Sequence, residues 1–372
     1  MSNAPISSQV IEALQRHYEL GEVTKAEAIA SLGENHNTLL STEKESFFVK
    51  LNNMSYHTHL APWTTGLQKW LVGQGMKECI EPTPAKDGSL YLTIPEHGTA
   101  IVYPNRPGFV AEIENSEAEE RSGQQLAQWI ARLHKLSSQV PSFGGKPKSS
   151  FQEGMKFLQD HFPLVEGLAG LLPTLPLDEE FQSLCQLFFS RIQHYHDALF
   201  EDNRVYKLFE TTAKQATLTH GDLNRSNLSF SDDGKLMTVY DFDESGWDHR
   251  AADLQFLYYH YYQPSSLEGK DSLDESNYKR ALDAYEQECG LPISTPERQL
   301  CAMLGMRSTL RGLMWCFTHL VQGTLTEPLL LCVDRRARPT RFDEPGTTQY
   351  QTFGKLIHAT ESFYQQYLNL CS

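Results

Sequence analysis

The sequence has no pair of cysteines at CxxC spacing and no apolar run approaching the roughly 18 residues of a membrane span. It has no excess of basic charge either. Its seven cysteines, Cys79, Cys185, Cys289, Cys301, Cys316, Cys332 and Cys371, are scattered and odd in number, which argues against a disulfide framework or a zinc site and for a reducing compartment. Lys and Arg number 32 against 47 Asp and Glu, a formal net charge of -15. That balance argues against nucleic acid or an anionic membrane as a partner for the whole surface. The basic run RRARPTR from Arg335 is short and reads as a solvated loop. No basic start followed by an apolar core opens the chain, so a cytoplasmic protein is expected; its oligomeric state stays open. No internal repeat is visible. One more absence is local: no Asp or Glu lies between Leu51 and Lys77.

At 372 residues the chain is long enough for two lobes. Its chemistry is densest in LTHGDLNRSNLSFSDDGKLMTVYDFD, residues 218–243. Leu228 to Phe230 and Leu236 to Tyr240 are short β-favouring runs, and the SDDG between them carries turn chemistry. A hairpin here brings Asn227, before its first strand, close to Asp241, after its second. Two oxygen ligands on adjacent segments suit Mg²⁺, which completes its shell with waters and substrate phosphates. Asp222 is then free to accept a hydrogen bond from a substrate hydroxyl and align it for attack on a γ-phosphate. Singly, each of these is an ordinary turn residue; jointly they point to phosphoryl transfer.

HGDLNRSN followed by YDFDESGWDHRAADL resembles the aminoglycoside phosphotransferase and choline kinase superfamily, small-molecule kinases with a protein-kinase-like fold. The resemblance implies an α+β, bilobal fold with a small antiparallel-sheet N-lobe and a larger, mainly helical C-lobe. It implies Asp222 as catalytic base, Asn227 and Asp241 as magnesium ligands, Asp253 as a brace for the catalytic loop, and His220 as a structural member of the motif. Where protein kinases often carry a Lys two residues after the base, this chain has Asn224, a neutral donor for a phosphate oxygen.

Earlier in the chain, Val10 to Tyr18 has helical spacing, and a short stretch follows from Ala26 to Ser31. SLGENHNTLLSTEKESFFVKL reads as two antiparallel strands around a turn from Thr42 to Glu45. Lys50 ends the second strand, where it would meet nucleotide phosphates, with the backbone near Gly33, Glu34 and Asn35 lying over them. GENHNTLL, FFVKL and PTPAKDGSLYLTIPEHGTAIVYPNRPG, with its DG turn, resemble the homoserine kinase branch of the superfamily. The helix between them is expected from about Pro62 to Gly75. Because it lacks an acid, Lys50 has another partner, is held by the nucleotide alone, or is not the phosphate lysine; Gln68 is a neutral candidate, and Glu78 or Glu81 would require the chain to turn back. Ala100 to Tyr103 reads as a strand leading into PNRPG, a connector whose backbone near Tyr103 and Asn105 would read an adenine edge.

These signals divide the chain into a nucleotide-binding lobe, residues 1–104, and a catalytic and acceptor-binding lobe, residues 105–372, with a helical insert near 151–212. Ser116 to Leu136 is a long helix, acidic early and basic late as the helix dipole favours, with Leu126, Trp129, Ile130 and Leu133 on one face. His194 and His196 read as helix surface. Asp243, Trp247, Asp248 and Arg250 follow the metal ligand closely enough to reach an acceptor. Trp247 with Tyr258, Tyr259, Tyr261 and Tyr262 reads either as a cage for a quaternary amine or, more simply, as core packing. Helices are expected over Arg298 to Val321 and Phe353 to Leu370.

The expected activity is ATP- and Mg²⁺-dependent phosphorylation of a small-molecule hydroxyl. Homoserine-like, choline-like, sugar and aminoglycoside acceptors stay open, as does GTP for ATP. The acids at Asp243 and Asp248 favour an amine-bearing acceptor. The alternatives are a nucleotide-binding scaffold without transfer activity and a protein serine kinase, the latter disfavoured by the lack of an APE-type segment after DFD.

Overall fold

The structure, a computed structural model, describes residues 5–29, 35–52, 55–106, 116–144, 179–201, 216–224, 227–263, 272–273, 275–321 and 360–370, with scattered positions from 155 to 170. Helix α1 (Ser8–His17) precedes strands β1 (Val23–Ile29), β2 (Asn35–Thr42) and β3 (Ser46–Asn52). β1 is a full strand where only a short stretch is legible, because its backbone pairs with β2 from Val23↔Thr42 to Ile29↔Asn37. β2 and β3 are antiparallel from Asn35↔Asn52 to Ser41↔Ser46, and the Thr42 N–H donates to the Glu45 carbonyl at 2.9 Å to close the turn. β4 (Leu92–Ile94) and β5 (Gly98–Pro104) complete a five-stranded antiparallel sheet in the order β1-β2-β3-β5-β4. The Asp87-Gly88 pair closes a separate tight turn, Ala85 N–H to Ser89 O at 2.8 Å, ahead of these strands.

Period-two alternation sorts β3. Phe47, Val49 and Leu51 bury against Val10, Leu14, Ala100 and Val102. Phe48 therefore faces the opposite side, with Ala61, Ile80, Ile101 and Tyr103, and Lys50 shares that side. Helix α2 (Ser55–Gly73) starts seven residues before the expected Pro62 and runs through it. Burial of Leu60 and Ala61 accounts for the extra turns, an instance of tertiary packing overriding propensity.

The second lobe is helical. α3 (Ser116–Lys135) has Glu117 and Glu119 in its first turn and Arg132, His134 and Lys135 in its last, and Leu126, Trp129, Ile130 and Leu133 are essentially inaccessible. Each such side chain contributes roughly 1.5–3 kcal/mol of burial. After α4 (Glu179–His196) come β6 (Thr217–Thr219), β7 (Leu228–Phe230), β8 (Leu236–Val239) and β9 (Gly246–Asp248), then α5 (Ala251–Tyr261), α6 (Glu275–Cys289) and α7 (Thr295–Val321). α3 packs on α5 and α6, and α5 on α7. Residues 360–370 are helical, and their Phe363 and Tyr367 join this core. Tyr258 lies in the core between Tyr278 and Phe363, hydrogen-bonded to Ser362, so it packs rather than lines a cage with Trp247; the side chains of Tyr259, Tyr261 and Tyr262 lie outside the described residues. So do Gly33, Glu34, residues 335–341 and most of 151–212. Among the described residues no helix is long and apolar enough to cross a membrane.

Candidate active site

The SDDG turn folds as its residues dictate. Gly234 has φ +81°, donates its N–H to Ser231 O at 2.8 Å and packs so tightly on Ala118 that a Cβ would lie 2.0 Å from its carbonyl oxygen. β7 and β8 pair from Leu228↔Val239, and one step on the Tyr240 N–H donates to the Asn227 carbonyl at 2.8 Å. Asn227 is thereby placed beside Tyr240 and Asp241.

The HGD loop is wired to the same hairpin. His220 lies fully buried: its Nδ1 accepts the Asp222 N–H at 3.2 Å, which leaves Nε2 as the protonated nitrogen, donating to Tyr240 O at 2.9 Å. Burial favours this neutral imidazole and lowers its pKa against the pull of the Asp253 carboxylate. Asp253, inaccessible on α5, accepts the backbone N–H of His220 and of Gly221, each at 2.9 Å, and the His134 ring nitrogen at 3.2 Å. His134 in turn meets the Tyr285 hydroxyl at 2.8 Å. Gly221 has φ +82°, and a Cβ there would stand 2.5 Å from the Glu244 carbonyl oxygen.

Asp222 is the best-held carboxylate of the loop. The Asn224 amide donates to its Oδ1 and the Asn227 amide to its Oδ2, both at 2.8 Å, and Asn227 also reaches the Asp222 carbonyl at 2.9 Å. Asn224, expected on a phosphate, is thus turned to orient the carboxylate. Each carboxylate oxygen keeps a further lone-pair direction for a substrate hydroxyl. Burial, then the charges of Asp241 and Glu244, push the Asp222 carboxyl up to about 7, against the Asn224 hydrogen bond and the Arg311 charge.

Asp241 sits at φ 59°, ψ 71°, a left-handed conformation unusual for a residue with a side chain. The kink sends Phe242 inward, 4.6 Å from the His220 ring and 6.4 Å from Trp129, and leaves Asp241 and Asp243 on the side of the sheet lobe. There Lys50 Nζ meets Asp241 Oδ1 at 2.8 Å and Asp243 Oδ2 at 2.7 Å. Burial alone would lower the Lys50 pKa; the two carboxylates override it and raise it. Burial pushes Asp241 up, but Lys50 prevails and holds its carboxyl below the ordinary value. The partner that Lys50 lacked in the sequence is therefore this pair of acids. Gln68 instead accepts from the Tyr103 hydroxyl at 3.0 Å.

Other expected site residues fall elsewhere. The Asn105 N–H donates to Ser46 O at 2.9 Å, so it is not the donor for an adenine edge. Of Asn35 the backbone is described, paired with Asn52 at the start of β2. Arg250 is clamped by Glu297, at 2.6 and 2.8 Å, and by the Pro292 carbonyl at 2.7 Å, which makes it a brace between the ends of α5 and α7 rather than an acceptor contact. Asp248 is buried in β9 and accepts the His249 N–H at 2.7 Å, and Trp247 beside it is exposed. Asp243 is held by Lys50. Sequence reasoning missed His134, whose signal was a histidine adjoining the apolar face of α3, and the contact of Trp63 Nε1 with Ser245 O at 3.1 Å, for which no sequence signal exists.

Asn227 and Asp241 offer hard oxygen donors on neighbouring segments, and the Asp241 side chain is 40% exposed. A cation is already tolerated there, since the Lys50 ammonium rests on it. This donor set fits Mg²⁺.

Comparison with known proteins converges on one family. The profile of the phosphotransferase enzyme family matches residues 25–288. Homoserine kinase of Gluconobacter oxydans is 25% identical over 129 residues, 35% of this chain and 39% of that protein, and homoserine kinase of Brucella ovis is 33% identical over 90 residues, 24% and 27%. The matches thus span well under half the length of those relatives. Among solved structures, a spectinomycin phosphotransferase bound to ADP and spectinomycin superposes with TM-score 0.62 at 13% identity, covering 98% of this chain and all of that one. A microcompartment-associated aminopropanol kinase gives 0.60 at 15% identity over 98% of both chains. Choline kinase of Streptococcus pneumoniae gives 0.51 at 15%, over 96% of this chain and 100% of that one. At such identities the likeness establishes the shared bilobal, protein-kinase-like fold. With the profile running from β1 to the end of α6, the chain belongs to the phosphotransferase enzyme family.

Proposed function

We propose that the protein is a small-molecule kinase that transfers the γ-phosphoryl group of ATP to an alcohol with the help of Mg²⁺. The observation that carries this is the linked set of contacts that joins Asp222 to Asn227, Asn227 to the hairpin end at Tyr240, and Asp241 to Lys50, with the Asp222 carboxylate held by two amides and its pKa raised to about 7. Asp222 accepts a hydrogen bond from the hydroxyl of the acceptor and aims its oxygen, as a general base does. Asn224 and Asn227 fix the carboxylate's rotation, and the wiring of His220 and Gly221 to Asp253 fixes the loop. Lys50 offsets charge on the nucleotide phosphates. Asn227 and Asp241 would hold the magnesium, which when bound neutralises phosphate charge. Little covalent work falls to the protein; positioning and charge stabilisation supply most of the acceleration.

The boundary between lobes is placed after Pro104, where β5 ends. The acceptor we propose is an amine-bearing alcohol of the kind named for relatives of this chain, homoserine, aminopropanol and choline among them. Since Lys50 takes Asp243 and Asp248 is buried, the acidic group we place beside that amine is Glu244, whose charge acts on Asp222 and which the amine would share with Arg311, 3.9 Å away. A cytoplasmic location is supported by the free thiols Cys79, Cys289 and Cys301. The test is a panel of small alcohols, with and without amines, scored by ADP release at saturating Mg²⁺. Turnover confined to amine-bearing alcohols is expected. Magnesium-dependent nucleotide binding with no turnover on any alcohol would make the protein a scaffold instead.

A further inference from the structure

The helix that follows the Lys strand in protein kinases supplies a Glu that holds the lysine. Here α2 carries no acid after Leu51, and its Gln68 is fastened to Tyr103. What α2 does instead is dock on the turn after DFD: Trp63 Nε1 donates to Ser245 O at 3.1 Å and approaches Ser245 Oγ at 3.2 Å. That turn is the one from which Asp243 reaches Lys50 at 2.7 Å.

We propose that Asp243 is the positioning residue for Lys50, a role that the DFD turn has taken over from the helix. The two carboxylates on Lys50 are not equivalent. The Asp241 side chain is 40% exposed and Asp243 only 10% exposed, as Lys50 itself is 7% exposed. Asp241 is the exposed carboxylate of the two, on the side where nucleotide and cation would arrive, and a bound cation would compete with the ammonium for it. Asp243 lies behind, desolvated with Lys50, where a charge-assisted hydrogen bond is strongest and where loss of one partner leaves a buried charge uncompensated. Lys50 can therefore surrender Asp241 and keep its aim. Asp243 does not touch the reacting atoms; it acts through the lysine.

This rests on Lys50 meeting the nucleotide phosphates, and the experiment separates the two statements. ATP affinity is measured by calorimetry, without and with Mg²⁺, for wild type, Lys50→Met, Asp243→Asn and the double variant, alongside KM for the acceptor. Lys50→Met tests the nucleotide role by itself. Asp243→Asn, which is isosteric, is expected to weaken ATP binding about tenfold, the loss of one charge-assisted bond. Its acceptor KM should be unchanged, and the same substitution should have no further effect in the Lys50→Met background. Wild-type ATP affinity in Asp243→Asn, full additivity in the double variant, or a change confined to the acceptor KM would each overturn it. If Lys50→Met alone binds ATP normally, the assignment of Lys50 fails and the role of Asp243 falls with it. Melting temperatures measured in parallel guard against misfolding: a drop in ATP affinity that merely tracks a loss of folded protein would count as refutation.

Discussion

Behind the HGD loop stands a chain of buried hydrogen bonds, from Tyr285 through His134 and Asp253 to the backbone of His220 and Gly221. Lys50, by contrast, is gripped from across the lobes by two carboxylates that follow it by 191 and 193 residues. The first arrangement fixes backbone, so the loop has its working shape before any ligand arrives. The second fixes one charge with two others, and such a contact exchanges partners when a competing cation or anion enters. The comparison suggests a division of labour: the acceptor side is preorganised by hydrogen bonding, and the nucleotide side is set by electrostatics.

The largest expected effect breaks the acceptor side at its tip. Asp222→Asn keeps the shape but replaces one acceptor oxygen by an amino group and removes the base, and turnover is expected to fall about 10²- to 10⁴-fold. Nucleotide affinity, set on the other side, should stay nearly unchanged by calorimetry. Equal losses in both quantities would erase the distinction drawn above.

Next in size is the brace. Asp253→Asn replaces one acceptor oxygen by an amino group facing backbone donors, and about 3 kcal/mol of stability should be lost, read from urea unfolding. If stability holds and only turnover falls, the network shapes the loop without supporting the fold.

A smaller effect lies outside both sides. Glu297 in the first turn of α7 reaches back to Ser294, accepting its N–H at 2.8 Å and its hydroxyl at 2.9 Å, and the same carboxylate holds Arg250. Burial raises the Glu297 pKa, but Arg250 and Ser294 outweigh it and bring the carboxyl down to about 2 from 4.5. A depressed carboxyl stabilises the fold above its unfolded value and loses that contribution as pH falls toward the folded one. Glu297→Gln should therefore cost about 2 kcal/mol near pH 7, with the gap from wild type shrinking between about pH 4.5 and 2 in thermal melts. A gap that stays constant with pH would detach Glu297 from this linkage.

The chemistry was legible in the sequence because it is local or hairpin-borne. SDDG fixes the turn that joins Asn227 to Asp241, and the spacing from Asp222 to Asn227 lets a side-chain amide bend back onto a carboxylate. The alternation FFVKL likewise put Lys50 on the face away from the sheet core. What was not legible depends on contacts between distant segments. The helix start at Ser55 depends on burial of Leu60 and Ala61, which outweighs the signal of Pro62. Asp243 and Arg250 stand close in sequence to Asp241 and were expected at the acceptor; but the left-handed backbone at Asp241 turns Asp243 to the sheet lobe, and Glu297 claims Arg250. Proximity in sequence says little about direction once the backbone leaves regular structure.

We have proposed that Asn227 and Asp241 share a cation beside Asp222. It is tested most directly by titrating Mg²⁺ against ADP release for wild type and Asp241→Asn at saturating ATP and acceptor. The account predicts activity abolished by EDTA and a half-saturating Mg²⁺ concentration at least about tenfold higher in the variant. An unchanged Mg²⁺ dependence in Asp241→Asn would contradict it.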